Sequence, residues 1–289
     1  MSGPRPLRVA YVPLHLSGYE AERHDVVARS SRALADLVER YGGSLLDPID
    51  PIETREAAAD AADALRASAP DLVVVQSASF AMGDLVLPFA EAGLRMCLWA
   101  PDEPRKDGPI PLNGFVSMHL QAGVLRRWRR SGSGPVKWLF GDAGHPWFGP
   151  RLATTLRALR GVGRIERSRV ALVGGVAPSF LNVLASERRL YEQLGCEVAP
   201  YELGPVIDEA ERVRDGARAD ELAAEIAAAR RAVDDRVDVS DNDVRDNVAV
   251  FIALRRLARE VGADALAVSD WPLFQQRMGL HPGLAFSRL

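Results

Sequence analysis

Short apolar runs of three to five residues, each followed by a longer stretch with helical periodicity, recur along most of this chain. The clearest is Leu-Val-Val-Val-Gln at residues 72–76. A strand that is apolar without alternation has to be covered on both faces, and parallel strands linked by helices achieve that. Right-handed crossovers then wind the chain back and forth over one sheet. The pattern predicts strands at residues 8–12, 44–46, 72–76, 95–99 and 136–140. Helices are predicted between and after them, at 19–41, 53–68, 83–92, 113–130 and 148–159. The first presents Val26, Val27, Leu34, Leu37 and Val38 on one face and ends at Gly42-Gly43.

Residues 161–168 (Gly-Val-Gly-Arg-Ile-Glu-Arg-Ser) read as a boundary, after which the alternation restarts. Strands follow at 169–173, 197–201 and 263–269, with helices at 178–194, two within 208–233, and one over 244–261. Ser240 is the expected cap of that last long helix, with Asp241 and Asp243 in its first turn, where the helix dipole favours acids. A short helix opens after Trp271-Pro272. The expected fold class is α/β: two consecutive doubly wound, flavodoxin/Rossmann-like parallel-sheet domains, at 1–165 and 166–289. The second carries only three clear strands, too few for a finished sheet of this kind, so more chain or a partner is expected to complete it.

At 289 residues, 47% hydrophobic and 26% charged, the chain has the composition of a globular protein with ordinary cores. A net charge of −3 supplies no broad basic field, so nucleic acid is not an expected partner. Arg126, Arg127, Arg129 and Arg130 are accounted for as a helix C-terminus before the Ser-Gly-Ser-Gly loop at 131–134. Cys97 and Cys196 lack a Cys-x-x-Cys spacing and fall in apolar strands, so both are expected to be buried free thiols. No N-terminal apolar core of a signal peptide is visible and no apolar run approaches 18 residues. A cytoplasmic location without membrane contact is the expectation.

Val173-Gly-Gly-Val-Ala-Pro178 lies at a strand-to-helix turn, where glycines let a ligand approach the backbone and Pro178 suits a first helical turn. It is not Gly-x-Gly-x-x-Gly, and a tight connecting turn explains it better than a binding loop does. Nicotinamide binding is not expected. The five histidines (His15, His24, His119, His145, His281) show no paired metal spacing. His15 and His145 each follow a strand end, where open α/β sheets place ligand groups, although a histidine in such a loop more often fixes the loop or is merely exposed. Asp102, Glu103 and Asp107 sit among prolines after a strand and suit either a ligand site or a long loop. No Gly-x-Ser-x-Gly elbow occurs. Trp271, Gln275 and Gln276 offer an indole face beside amide groups, a combination that suits a sugar or a packed helix start equally.

Five stretches, taken in order, resemble the N-terminal two-thirds of the L-fucose/L-arabinose isomerase family. They are Leu112-Asn113 before an apolar helix, residues 136–143 (VKWLFGDA), 169–178 (RVALVGGVAP), 269–275 (SDWPLFQ) and 282–289 (PGLAFSRL). The likeness runs from about Arg8 to Leu289. It implies an aldose–ketose isomerase that moves a proton between C1 and C2 through an enediol, with Mn²⁺ or a similar divalent ion polarising the oxygens. Both tasks need carboxylates. The family's Glu, Asp and His lie beyond the segment matching Ser287-Arg288-Leu289, so the resemblance implies no catalytic residue and no metal ligand in this chain. Isomerase activity is then expected only with a complementing C-terminal polypeptide, and a homo-oligomer is expected because family sites form with help from neighbouring subunits. His15, Trp99, Trp271 and Gln275 are the expected substrate-binding residues, and a small-molecule sugar is the expected ligand. His119 and Gly283 depart from the family pattern and bear on which sugar is taken. The alternative is a non-catalytic sugar-binding or regulatory α/β protein.

Overall fold

The structure is a computed structural model that describes residues 5–105, 107–128, 136–232 and 239–289. It divides into two compact units, Met1–Gly161 and Val162–Leu289. The expected α/β class with parallel sheets is what is observed.

The first unit runs β1 (Leu7–Leu14), α1 (Val26–Arg40), β2 (Gly43–Leu45), α2 (Arg55–Ser68), β3 (Leu72–Ser77), α3 (Leu87–Glu91), β4 (Met96–Ala100), α4 (Gly114–Trp128), β5 (Lys137–Phe140) and α5 (Phe148–Ile165). All pairings are parallel and the strand order is β2-β1-β3-β4-β5. The chain therefore reverses direction across the sheet between β1 and β3. Alternate residues of the strands feed two separate cores. Val73, Val75 and Leu98 pack with Leu65, Phe89 and Met118 on one face. Val74, Cys97 and Trp99 pack with Leu34, Val38 and Phe148 on the other. Every residue of β3 is buried.

The second unit runs β6 (Arg169–Val173), α6 (Glu187–Leu194), β7 (Glu197–Tyr201), α7 (Gly204–Arg212), α8 (Ala219–Ala232), α9 (Asp241–Val261), β8 (Ala265–Val268), α10 (Leu273–Met278) and α11 (Gly283–Ser287). Its parallel sheet has the order β7-β6-β8. Ala171 and Val173 pack against Ile207, Val248, Ile252 and Phe274. The residues that alternate with them, Val170 and Leu172, lie outside that cluster and are half-buried. The last helix is tied back by Arg288, which donates to Glu225 Oε2 at 2.7 Å. Its guanidinium and that of Arg255 flank the Phe251 ring at 4.6 and 4.7 Å.

Three expected elements differ. The helix expected from residue 19 begins at Val26, because residues 15–25 form a loop ending in a left-handed Asp25. The helix expected at 178–194 is broken: Ser179 has φ 70°, and α6 starts only at Glu187, capped by Ser186, which accepts from Arg189 N. Residues 161–165, expected to be a boundary, continue α5, since a glycine weakens a helix interior without ending it. Ser240 caps α9 as expected, its hydroxyl accepting from Asp243 N at 3.1 Å. Of the arginine run, Arg129 and Arg130 lie outside the described residues.

Candidate functional site

In open α/β sheets ligands sit outside the carboxyl ends of the strands, where the strand order reverses. For the second unit that place lies between β6 and β8. A cleft of about 370 Å³ opens there, lined by Gly174 and Val176 after β6, Tyr201 and Glu202 after β7, and Ser269 and Trp271 after β8. Gly174 has φ 81°, and a Cβ there would lie 3.1 Å from both Leu203 and Ser269 side chains, so the turn into the cleft requires glycine. Trp271 stays 45% exposed, with Phe180 at 6.5 Å from its ring. Ser269 Oγ donates to the Trp271 carbonyl at 3.1 Å and holds that loop. An open indole beside a phenol and a carboxylate can stack on the C–H face of a sugar and accept from its hydroxyls.

The first unit has a larger cleft of about 540 Å³, lined by His15 and Tyr11 together with residues of α1 and of the loop after β2. His15 is fixed through its backbone, N–H to the Ile52 carbonyl at 3.0 Å. Nearby, Glu53 accepts from Ser17 N and Ser17 Oγ, each at 2.7 Å. Those bonds, with a smaller pull from His15, hold the Glu53 carboxyl below its usual range. Tyr11 donates to Gln76 Oε1 at 2.5 Å, and Gln76 Nε2 donates to Ser30 Oγ at 2.8 Å. Burial pushes the Tyr11 hydroxyl pKa far up, so the phenol stays a neutral donor.

A third cluster joins the loops after β4 and β5. His145 Nε2 pairs with Asp102 Oδ2, and its ring stacks on Trp147 at 4.4 Å. Asp102 N donates to Asp142 Oδ1 and Asp142 N to Asp102 Oδ2, both at 3.3 Å. This is a clasp between two crossover loops, with Gly141 required beside the imidazole because a Cβ would approach its ring to 2.9 Å.

Of the residues singled out from sequence, Trp271 lines the second unit's cleft and His15 the first unit's. Trp99 lines neither. It is 1% exposed, between Tyr11 and Phe148, with its indole N–H bonded to the Gly141 carbonyl at 2.8 Å. A large ring on a strand covered from both sides has no route to solvent. Gln275 also lies outside both lining sets; its Nε2 bonds the Asp270 carbonyl and His281 Nδ1, each at 3.0 Å, bracing its own loop. Sequence reasoning missed Tyr201 and Glu202, although the end of β7 was the signal for them. It noted Asp102 and His145 separately without pairing them.

Among the described residues no three His, Cys, Asp or Glu side chains are grouped to hold a metal ion. The divalent ion implied by the resemblance therefore finds no ligand set there. Among the same residues no helix is long and apolar enough to cross a membrane.

No family profile matches the chain. Curated relatives do. The chain is similar to a sulfoquinovose isomerase of Alkalicoccus urumqiensis, 24% identical over 214 residues, which cover 74% of this chain and 46% of the relative. It is also similar to the sulfoquinovose isomerases of Priestia aryabhattai and Priestia megaterium, 21% identical over 279 residues, covering 95% of this chain and 59% of each relative. The chain thus spans between 46% and 59% of the length of these relatives.

Proposed function

We propose that this chain is the sugar-handling α/β part of an aldose–ketose isomerase of the L-fucose/L-arabinose isomerase type. The observation that carries the reading is the similarity to proteins named sulfoquinovose isomerase across up to 95% of this chain. The switch-point cleft of the second unit supports it: Trp271 receives the ring face, while Glu202 and Tyr201 orient hydroxyl groups at the rim. Moving a proton from C2 to C1 requires a base and stabilisation of an enediolate, and a divalent ion such as Mn²⁺ supplies the second when bound. The described residues hold no group of three side chains that fits such an ion. In this reading the ion and the acid–base pair come with a complementing C-terminal polypeptide, in a homo-oligomer whose neighbouring subunits share the site.

The test is an assay of L-fucose, L-arabinose and sulfoquinovose with Mn²⁺, using the chain alone and mixed with a polypeptide covering the rest of the relatives' length. Ketose formation in the mixture that falls at least about tenfold with Trp271→Ala supports the reading. Sugar binding by the chain alone, with no turnover in any mixture, would favour the alternative of a non-catalytic sugar-binding or regulatory protein. That alternative needs only the Trp271 cleft itself, and no group of three His, Cys, Asp or Glu side chains that could hold a metal ion occurs among the described residues.

A further inference from the structure

Among the described residues, seven of the twenty exposed large apolar side chains fall within residues 176–194, the crossover from β6 to β7. Single exposed leucines are ordinary, but a concentration of this kind marks a contact surface. Phe180, Leu181, Val183 and Leu184 precede α6, and Tyr191 and Leu194 lie on it; each is between 45% and 74% exposed. Glu187, Tyr191 and Leu194 follow one another at single-turn spacing, so the stripe runs along one side of the helix. The six apolar side chains leave on the order of 700 Å² in water, above the roughly 300–600 Å² patch of an ordinary monomer and near the ~800 Å² that one partner gives a standard interface.

The charges on α6 define the partner. The helix carries Glu187, Arg188, Arg189 and Glu192, two acids and two bases, so it presents no single sign to a polyanion or a basic peptide. Arg188 and Glu192 are bonded to each other at 3.0 Å, and their side chains are 80% and 51% exposed. They stand at equal distances on either side of Leu190. An identical helix laid antiparallel about that centre brings the partner's Glu192 to Arg188 and the partner's Arg188 to Glu192. The same register brings the two Tyr191 rings together near the axis and sets Leu194 against the apolar segment that precedes the partner's helix. A two-fold contact requires a surface that complements itself in this way.

We propose that residues 180–194 form the interface of a homodimer, in which α6 packs antiparallel on α6 of a second copy across a two-fold axis near Leu190. Removing the Tyr191 and Leu194 stripe from water supplies the affinity, and the exchange of Arg188 and Glu192 between copies sets the direction of the helices. The contact does not rest on the isomerase reading. A failed sugar assay leaves it standing, and a monomeric chain leaves the Trp271 cleft standing.

The experiment is sedimentation equilibrium of the full chain and its variants, with circular dichroism to confirm that each variant keeps its fold. The parent chain is expected to dimerise with a Kd of about 10 µM or tighter, and Tyr191→Glu to weaken it at least about a hundredfold. Arg188→Glu and Glu192→Arg each weaken self-association at least about tenfold, because each sets like charges opposite one another. An equimolar mixture of those two variants restores association, an acidic helix pairing with a basic one. The pair within each helix is broken in both variants and mixing does not mend it, so recovery reports contact between copies and not helix stability. The proposal is overturned if the parent is monomeric at about 100 µM, or if Tyr191→Glu dimerises like the parent. It is also overturned if the mixture associates no more tightly than its separate components. Displacement of the dimer by a polypeptide covering the rest of the relatives' length overturns it too, since that polypeptide is then the occupant of this face.

Discussion

β3 and β6 are both the middle strand of a parallel sheet, and their sequences, Leu-Val-Val-Val-Gln-Ser and Arg-Val-Ala-Leu-Val, are similarly apolar. All six residues of β3 are buried, but only Ala171 and Val173 of β6 are. The strands do not explain the difference; the helices do. In the first unit, crossovers leave α1 and α5 on one face and α2, α3 and α4 on the other. In the second, the order β7-β6-β8 means that successive right-handed crossovers fall on opposite faces. α7 to α11 build one face into a core, and among the described residues the crossover from β6 to β7 carries the eight-residue α6, none of whose residues is buried. A parallel strand is covered on both sides only if the chain spends helices on both.

Matched substitutions test this contrast, with hydrogen exchange of peptides from each unit as a local readout of stability. Leu98→Ala in β4 should cost about 2–5 kcal/mol, the range for a buried leucine that leaves a cavity. Leu172→Ala in β6 should cost under about 1 kcal/mol, because its surroundings are already open. Equal losses at the two positions would show that the second face of β6 is covered in solution, and the contrast would break.

Glycine replacement sharpens the same point. A Cβ at Gly114 would lie 2.6 Å from the Ser77 carbonyl oxygen, so Gly114→Ala should destabilise the first unit by about 1–3 kcal/mol. Gly283, the first residue of α11, has open space around it, so Gly283→Ala should stabilise the second unit by about 0.4–1 kcal/mol. A loss at Gly283 of the size seen at Gly114 would contradict the looser packing assigned to the second unit.

The second unit relies more on ion pairs. Burial pushes Glu225 up, but hydrogen bonds from Arg255 and Arg288 outweigh it and leave the carboxyl below its usual range. A lowered folded pKa means that this stabilisation is fully present above the unfolded value, near pH 4.3, and is lost as pH falls through the folded one. Acid titration followed by exchange in α11 should therefore show fraying below about pH 4. Glu225→Gln should remove that pH dependence and about 1 kcal/mol at neutral pH. Unchanged acid sensitivity in the variant would move the cause elsewhere. The smallest effect concerns Cys97, whose thiol burial pushes up to about 12. A maleimide should fail to modify it in the folded chain and react only after denaturation, and rapid native labelling would break the picture of a dry first-unit core.

Local signals were enough for the strands, the parallel class and the α9 cap, because unbroken apolar runs and Ser-x-x-Asp spacing act over a few residues. They misplaced the start of α1 and joined 178–194 into one helix, since helical periodicity cannot see that Asp25 and Ser179 take left-handed backbone angles. The site was legible one piece at a time. Trp271 and the Gly174 turn were both visible, yet they meet only because β6 and β8 are neighbours in the sheet. Trp99 had the right residue type and the right strand end, but the packing of Tyr11 and Phe148 around it removes it from solvent.

The amino-acid order by itself determined where the strands and most of the helices fall, that the strands run parallel, and which residues are apolar enough for a core. Each of these depends on nearest neighbours and on a period of two or 3.6 residues. Only the tertiary structure decided which face of β6 stays open, that Asp102 meets His145 across two crossovers, and that Asp50 and Val26 share a cleft. Those outcomes depend on strand order and crossover direction, which bring together residues far apart in the chain and leave no local trace in it.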